Sequence, residues 1–212
     1  MVVGADLVSA LTQKIKQEGY MRPTSQALLI VFSLLTASVV FAATDTYTID
    51  PAHTSFDFTV KHMMISQVPG NFDKFEGQII YNPTDLANSK ANVTIDVSSV
   101  NTRNDKRDAH LKSPDFFDAA KFPVITFVST KFTPGAITGN LTMKGTTKEV
   151  TIPVTISGPV KTMTGGQAIG ITGSVTLNRQ DYGISWNKSL DKGGWVVAND
   201  VLVNISIEAD QK

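Results

Sequence analysis

Apolar and polar side chains alternate with a period of two along most of this chain, and that pattern leaves few architectures open. In Ser55-Phe56-Asp57-Phe58-Thr59-Val60-Lys61 the apolar residues are Phe56, Phe58 and Val60, with polar residues between them. Successive side chains of a β-strand point to opposite faces, so this stretch predicts a strand with one dry face. His62 and Met64 continue the apolar phase, which puts His62 on or near that face if the strand runs so far. The same period recurs at Val93, Ile95 and Val97, at Val150, Ile152, Val154 and Ile156, and at Val201, Val203, Ile205 and Ile207. Further strands are expected over 77–81, 124–129, 136–143 and 168–177, about eight in all. Turn signals separate them, such as Asn82-Pro83-Thr84-Asp85, Thr133-Pro134-Gly135 and Gly165-Gly166. Strands joined by short turns form an antiparallel meander, and a sheet of this size hides its dry face by closing on itself. The fold expected is therefore all-β, an eight-stranded antiparallel barrel. Such a barrel is either filled by its own side chains or holds one ligand. An outer-membrane barrel needs longer strands, an apolar exterior and aromatic girdles, and the aromatics here are scattered.

One stretch breaks the alternation. Residues 104–119 read as a short helical insert: Asn104 can cap a helix carried by Lys106, Arg107, Ala109, Leu111 and Lys112. Ser113-Pro114-Asp115 has the cap, first-turn proline and acidic residue of a second helix. Adjacent residues of a helix do not share a face, so at least one of Phe116 and Phe117 should reach the core or a cavity mouth.

The chain has 212 residues with 19 basic and 19 acidic side chains and no cysteine. Neither a nucleic-acid groove nor a disulfide scaffold follows from that composition. Residues 27–42, uncharged and apolar after Arg22 and ending in small residues, have the build of a secretory signal peptide with cleavage after Ala42. The expectation is a periplasmic or secreted protein, with 1–42 an N-terminal extension plus signal and 43–212 a single barrel domain. Met21-Arg22 is a natural start for such a signal, so 1–20 are left out of the fold reasoning.

Several separate segments carry a family likeness in their order and spacing. They are Asp50-Pro51-Ala52-His53-Thr54-Ser55-Phe56, Val60-Lys61-His62-Met63, Arg107-Asp108-Ala109-His110-Leu111-Lys112-Ser113-Pro114-Asp115-Phe116-Phe117-Asp118 and Phe122-Pro123-Val124-Ile125-Thr126-Phe127. Downstream, 139–148 and Asn178-Arg179-Gln180-Asp181-Tyr182-Gly183-Ile184 continue it. Together they resemble the signature of the YceI-like family of polyisoprenoid-binding proteins. The resemblance implies an extended, lipocalin-like eight-stranded barrel, usually periplasmic or secreted, whose apolar tunnel holds an isoprenoid chain with its head group toward the opening. It implies a binding protein with the lipid as ligand, no required cofactor and no catalytic residues.

For individual residues the pattern supports two readings. Phe56, Phe58, Val60, His62, Phe72, Phe75, Phe116, Phe117 and Phe127 are tunnel-lining candidates or plain core, which alternation alone does not separate. Trp186 and Trp195 flank a loop from which an indole could cover a barrel end. Arg103, Arg107 and Arg179 have the forked, permanently charged donors that a phosphate needs. Ion pairs of Arg107 with Asp108 and Arg179 with Asp181 are the structural reading, and the favoured one. His53, His62 and His110 do not form a paired metal motif, so no metal is expected; His110 is expected to bond Asp108 or Asp115. There is no nucleophile elbow, His-Glu-x-x-His or Walker loop. The function expected is an exported, non-catalytic carrier of a quinone or polyprenyl phosphate. An isoprenoid-dependent enzyme using His62 or His110, and a stress-related module with a solid core, are the alternatives. No nucleic-acid partner is expected; transient contact with a membrane and pairing into a homodimer stay open.

Overall fold

The computed structural model describes residues 45–211 apart from Thr164 and Lys192, all within the second of two units of the chain, Ala42–Lys212. The expected signal peptide and the segment before it lie outside the described residues. Eleven strands are present: β1 (Asp45–Ile49), β2 (Ser55–His62), β3 (Ser66–Phe72), β4 (Phe75–Tyr81), β5 (Lys90–Asp96), β6 (Val100–Asn101), β7 (Val124–Thr133), β8 (Ala136–Met143), β9 (Thr146–Lys161), β10 (Gln167–Asn178) and β11 (Val197–Gln211). They resolve into the expected eight paths, because the first six join end to end in pairs. β11 pairs with β1 through Ala209 and Gln211 and with β2 from Val197 to Ser206, so β1 and β2 are one path broken at residues 50–54. Likewise β3 and β4 are parted only by Asp73 and Lys74, and β5 and β6 by the short 3-10 turn Val97–Ser99. Each path runs antiparallel to its neighbours in chain order, and the ring closes where β11 meets β1 and β2. The result is a closed eight-stranded antiparallel barrel.

Every expected strand is present. β1, β3 and β6 escaped the sequence reading for physical reasons: β1 and β6 are too short to show a period, and β3 contains Pro69 and Gly70. Pro69 is tolerated because β6 reaches only Asn71 and Phe72, leaving Pro69 on an unpaired edge. Gly70 is needed where it stands. A Cβ there would collide with the Phe58 ring and the Thr102 methyl, so the glycine lets Phe58 lie flat across β3.

The insert contains one helix, α1 (Asp105–Lys112), and not the two expected. Asn104 caps it as anticipated, its side-chain oxygen accepting from Arg107 N–H at 3.0 Å. The second helix does not form because the chain turns back onto the first. Ser113 is extended ahead of Pro114, the N–H groups of Phe117 and Ala119 bond to the Leu111 and Lys112 carbonyls at 3.0 Å, and Asp118 takes a left-handed φ of +53°. Those bonds satisfy carbonyls that the end of α1 would otherwise leave open. Among the described residues no helix is long and apolar enough to cross a membrane.

The barrel interior differs along its length. At the end formed by β1, the later part of β4 and the last residues of β11, side chains meet in a continuous core. Tyr47, Ile79, Ile169 and Ala209 are at most 1% exposed there. At the other end the walls stay apart, and α1 with the turns after it lies at that opening.

Candidate functional site: an apolar cavity at the open end

Two adjoining cavities run inward from the open end of the barrel. The outer one has a volume of about 550 Å3, within the roughly 300–1,000 Å3 typical of small-molecule sites. The inner one adds about 140 Å3 and reaches in among core residues such as Ile79, Ala91, Ile152 and Ile171. Phe58, Phe72, Ile125, Met143, Leu177 and Val203 line both, so the two form one elongated space. The inner cavity is lined by apolar residues except Asp57, which alternates to the opposite face of β2 and accepts a hydrogen bond from the Ser55 hydroxyl at 2.7 Å.

The polar groups gather at the outer cavity. Its lining includes Lys61, Lys106, Arg107 and Arg179 and no aspartate or glutamate. Arg107 is exposed; its Nε donates to the Thr102 hydroxyl at 2.7 Å and its Nη2 to the Thr102 carbonyl at 2.8 Å. Asp108, the buried residue of α1, accepts from the N–H and hydroxyl of that same Thr102. Arg107 therefore reaches Asp108 only through Thr102, and Nη1 of Arg107 makes no hydrogen bond within the described residues.

Arg179 is built differently. It is 6% exposed, and all five of its N–H directions are engaged. Nε donates to Ala198 O at 2.9 Å, Nη1 to Ile184 O at 2.6 Å and Trp186 O at 2.9 Å, and Nη2 to Val197 O at 3.4 Å and Asn199 Oδ1 at 3.3 Å. Its burial lowers its pKa. The expected Asp181 pairing is absent. Arg179 instead ties the segment at 184–186 to the start of β11 through carbonyls, with no donor left over.

Aromatic rings close the space from the insert side. Phe116 and Phe117 point to different neighbours, as their adjacency demands. Phe117 packs on Phe72 at 5.8 Å between ring centres, and Phe72 on Phe58 at 5.8 Å. Phe116, His110 and Trp186 form a triangle with centre distances of 4.9, 4.8 and 5.3 Å, joining the insert to the segment after Tyr182. His110 is further held by Asp115 at 2.9 Å, one of its two expected partners. Lys144 anchors the insert from the β8–β9 turn by donating to Pro114 O at 2.9 Å.

The chain that forms this barrel matches the model of the YceI-like domain over residues 47–209. The chain belongs to the YceI-like family. A UPF0312 protein of Staphylococcus aureus is 43% identical over 163 residues, covering 76% of this chain and 95% of its own length. Among solved structures, BcnA of Burkholderia cenocepacia superposes with a TM-score of 0.67 at 27% identity, over 76% of this chain and 98% of that one. A polyisoprenoid binding domain from Saccharophagus degradans superposes with a TM-score of 0.62 at 15% identity, over 80% and 100% of the two chains. At that identity the likeness speaks for the fold.

Most of the candidates named from sequence converge in this YceI-like barrel. Phe58, Val60, His62, Phe72, Phe116, Phe117 and Trp186 line the outer cavity, and Phe56 and Phe127 the inner one. Three do not line either. Phe75 packs edge-on against Phe56 at 4.9 Å beside the closed-end core. Trp195 is on the surface, 55% exposed, in a loop whose ends meet at the bridge between Ser189 and Trp195. Arg103 is exposed in a left-handed turn before α1. Lining residues the sequence reading missed include Lys61, Lys106, Leu111, Tyr182 and Ile184. Lys61 sits on the polar phase of β2, and the others lie outside any strand period. The histidines do not gather: His62 and His110 line the cavity, and His53 lies at the break between β1 and β2. There its Nδ1 is 2.5 Å from Asp50 Oδ2, which raises the imidazole pKa and lowers that of Asp50. Asp50, His53 and Glu208 are the one group of metal-ligand type among the described residues, their ligand atoms within 4.8 Å of one another.

Proposed function

We propose that this YceI-like protein is an exported, non-catalytic carrier that sequesters a long isoprenoid lipid, a quinone or a polyprenyl phosphate, in the barrel cavity. The observation that carries the reading is the shape and chemistry of the space: elongated, apolar in its depth, cationic and free of carboxylates at its outer end. An apolar tail would lie along Phe58, Phe72 and the inner cavity, and a polar or anionic head would remain among Lys61, Lys106 and Arg107. Arg179, with its donors engaged on carbonyls, holds the wall. Each five-carbon unit transferred from water contributes on the order of 4 kcal/mol before ordering and association costs are subtracted. A long tail is thus retained without a covalent bond or metal. The solved Saccharophagus degradans domain is described as binding polyisoprenoid, which supports the same ligand class here.

The test is organic extraction of the purified native protein followed by mass spectrometry, with uptake of added quinone and polyprenyl phosphate measured on the delipidated protein. A stoichiometric isoprenoid, or saturable uptake that Phe58→Asp weakens while the barrel stays folded, is the expected result. No bound lipid and no uptake of either compound would remove the carrier reading.

A further inference from the structure

The turn between β2 and β3 exposes apolar side chains that a water-facing hairpin has no reason to carry. Met63, Met64 and Ile65 are 41%, 59% and 83% exposed, and Trp195 on the adjoining loop is 55% exposed. The two loops are joined. Met63 N–H donates to Val196 O at 2.8 Å, and the Met64 side chain lies against Gly194, where a Cβ would sit 3.5 Å from Met64 Cγ. The turn is closed by Ile65 N–H donating to His62 O at 3.1 Å, with φ of +49° at Met63 and +66° at Met64. Two successive left-handed residues are what hairpins usually supply with Asn and Gly, since other side chains are strained there. Here that strained position holds two methionines and presents them outward.

The patch adjoins the cavity. His62 on one side and Val196 on the other both line the outer space, whose lining also carries Lys61, Lys106 and Arg107 and no carboxylate. Asp191, exposed on the Trp195 loop, is the acidic group close by in sequence. Apolar tip residues, an exposed indole and cations beside the mouth of an apolar cavity match the layers of a bilayer surface: acyl boundary, head-group level and phosphate.

We propose that the 62–65 turn and Trp195 dock this barrel on an anionic lipid bilayer, holding the cavity mouth against the surface that supplies the cargo. The proposal rests on the carrier reading for its purpose, but it is measured separately. Wild type, Ile65→Asp and Met163→Asp are sedimented with vesicles of phosphatidylcholine alone and of phosphatidylcholine with phosphatidylglycerol. Met163 is the control, fully exposed at the β9–β10 turn of the opposite end. Wild type and Met163→Asp should bind the anionic vesicles and bind neutral ones less, and Ile65→Asp should lose affinity by about tenfold or more. Isoprenoid delivered from cyclodextrin should still enter Ile65→Asp, while transfer from vesicles into it slows. Absence of vesicle binding by wild type, or equal binding by Ile65→Asp, overturns the docking site. So does a dimer in sedimentation velocity that Ile65→Asp dissolves with vesicle binding unchanged, which would make the turn an interface between copies. If no variant takes up isoprenoid from cyclodextrin, the carrier reading fails on its own, and the vesicle result still decides the docking.

Discussion

At one end of the barrel Tyr47, Ile169 and Ala209 meet with at most 1% of their surface exposed; at the other, Phe58, Val60 and Val203 face a space of about 550 Å3. Both sets lie on the dry face of alternating strands, and several strands contribute to both. What separates the ends is what crosses them. The closed end brings small residues such as Ala168 and Ala209 among large ones, so the walls can approach and interdigitate. The open end has the insert, the aromatic triangle of His110, Phe116 and Trp186, and the Arg179 clamp, which brace its rim. Alternation thus determines which side chains turn inward, and the bracing determines whether they touch.

The largest effect should separate the two ends directly. Ile169→Ala removes a fully buried side chain from a close-packed layer that borders neither cavity and should lower the unfolding free energy by about 4 kcal/mol, measured in urea. Val60→Ala, on the cavity wall, should cost less than about 1 kcal/mol, because it leaves no new void between packed atoms. Similar costs for the two would erase the distinction between a packed end and a ligand-ready one.

That distinction marks where the sequence stopped being legible. The barrel, its eight paths and the single insert were readable because period two, turn residues and the Asn104 cap are local signals. Phe58 and Phe72 were readable as inward-facing. Whether they faced protein or space was not, since that depends on neighbours distant in sequence, such as Gly70, which makes room for the Phe58 ring from the adjoining strand. The carboxylate pairings expected for Arg107 and Arg179 failed for a related reason. Proximity in sequence suggested Asp108 and Asp181, but the groups lacking partners were the Thr102 carbonyl and the carbonyls at 184–198, which only the folded rim brings within reach. Trp195 sits in a loop joined by its isolated bridge to Ser189, a pairing that carries no period from which its exposure could be read.

Arg179 offers the next test of the braced rim. Lysine keeps the charge but provides three donors from a point, and cannot cover carbonyls on both sides of the cavity wall. Arg179→Lys should lower stability by about 3 kcal/mol, with the loss concentrated at the open end. Hydrogen exchange should then show faster opening at residues 184–186 and at the start of β11, with β1 and the last residues of β11 unchanged. Uniform loss across both ends would mean that the clamp supports the whole barrel. No loss would mean that the rim is braced by the aromatic triangle alone.

The smallest effect concerns a polar atom that the open end leaves unmatched. Tyr182 is 2% exposed, its pKa is raised by burial and then by Asp181, and its hydroxyl has no hydrogen-bond partner. Among the described residues it is the one buried side-chain polar atom in that condition. Its ring contributes to the cavity wall, so Tyr182→Phe keeps the packing and deletes only the unpaired group. An unpaired buried hydroxyl costs about 1 kcal/mol or more, so the delipidated variant should be more stable than wild type by about that amount, read as a rise in thermal midpoint. A fall instead would show that the hydroxyl is engaged in solution. Measuring delipidated and isoprenoid-loaded forms side by side locates the partner: a destabilisation only when loaded assigns it to the ligand, and one in both states assigns it to the rim. Either result would convert the open end from a space defined by its walls into one defined by the polar contacts it makes.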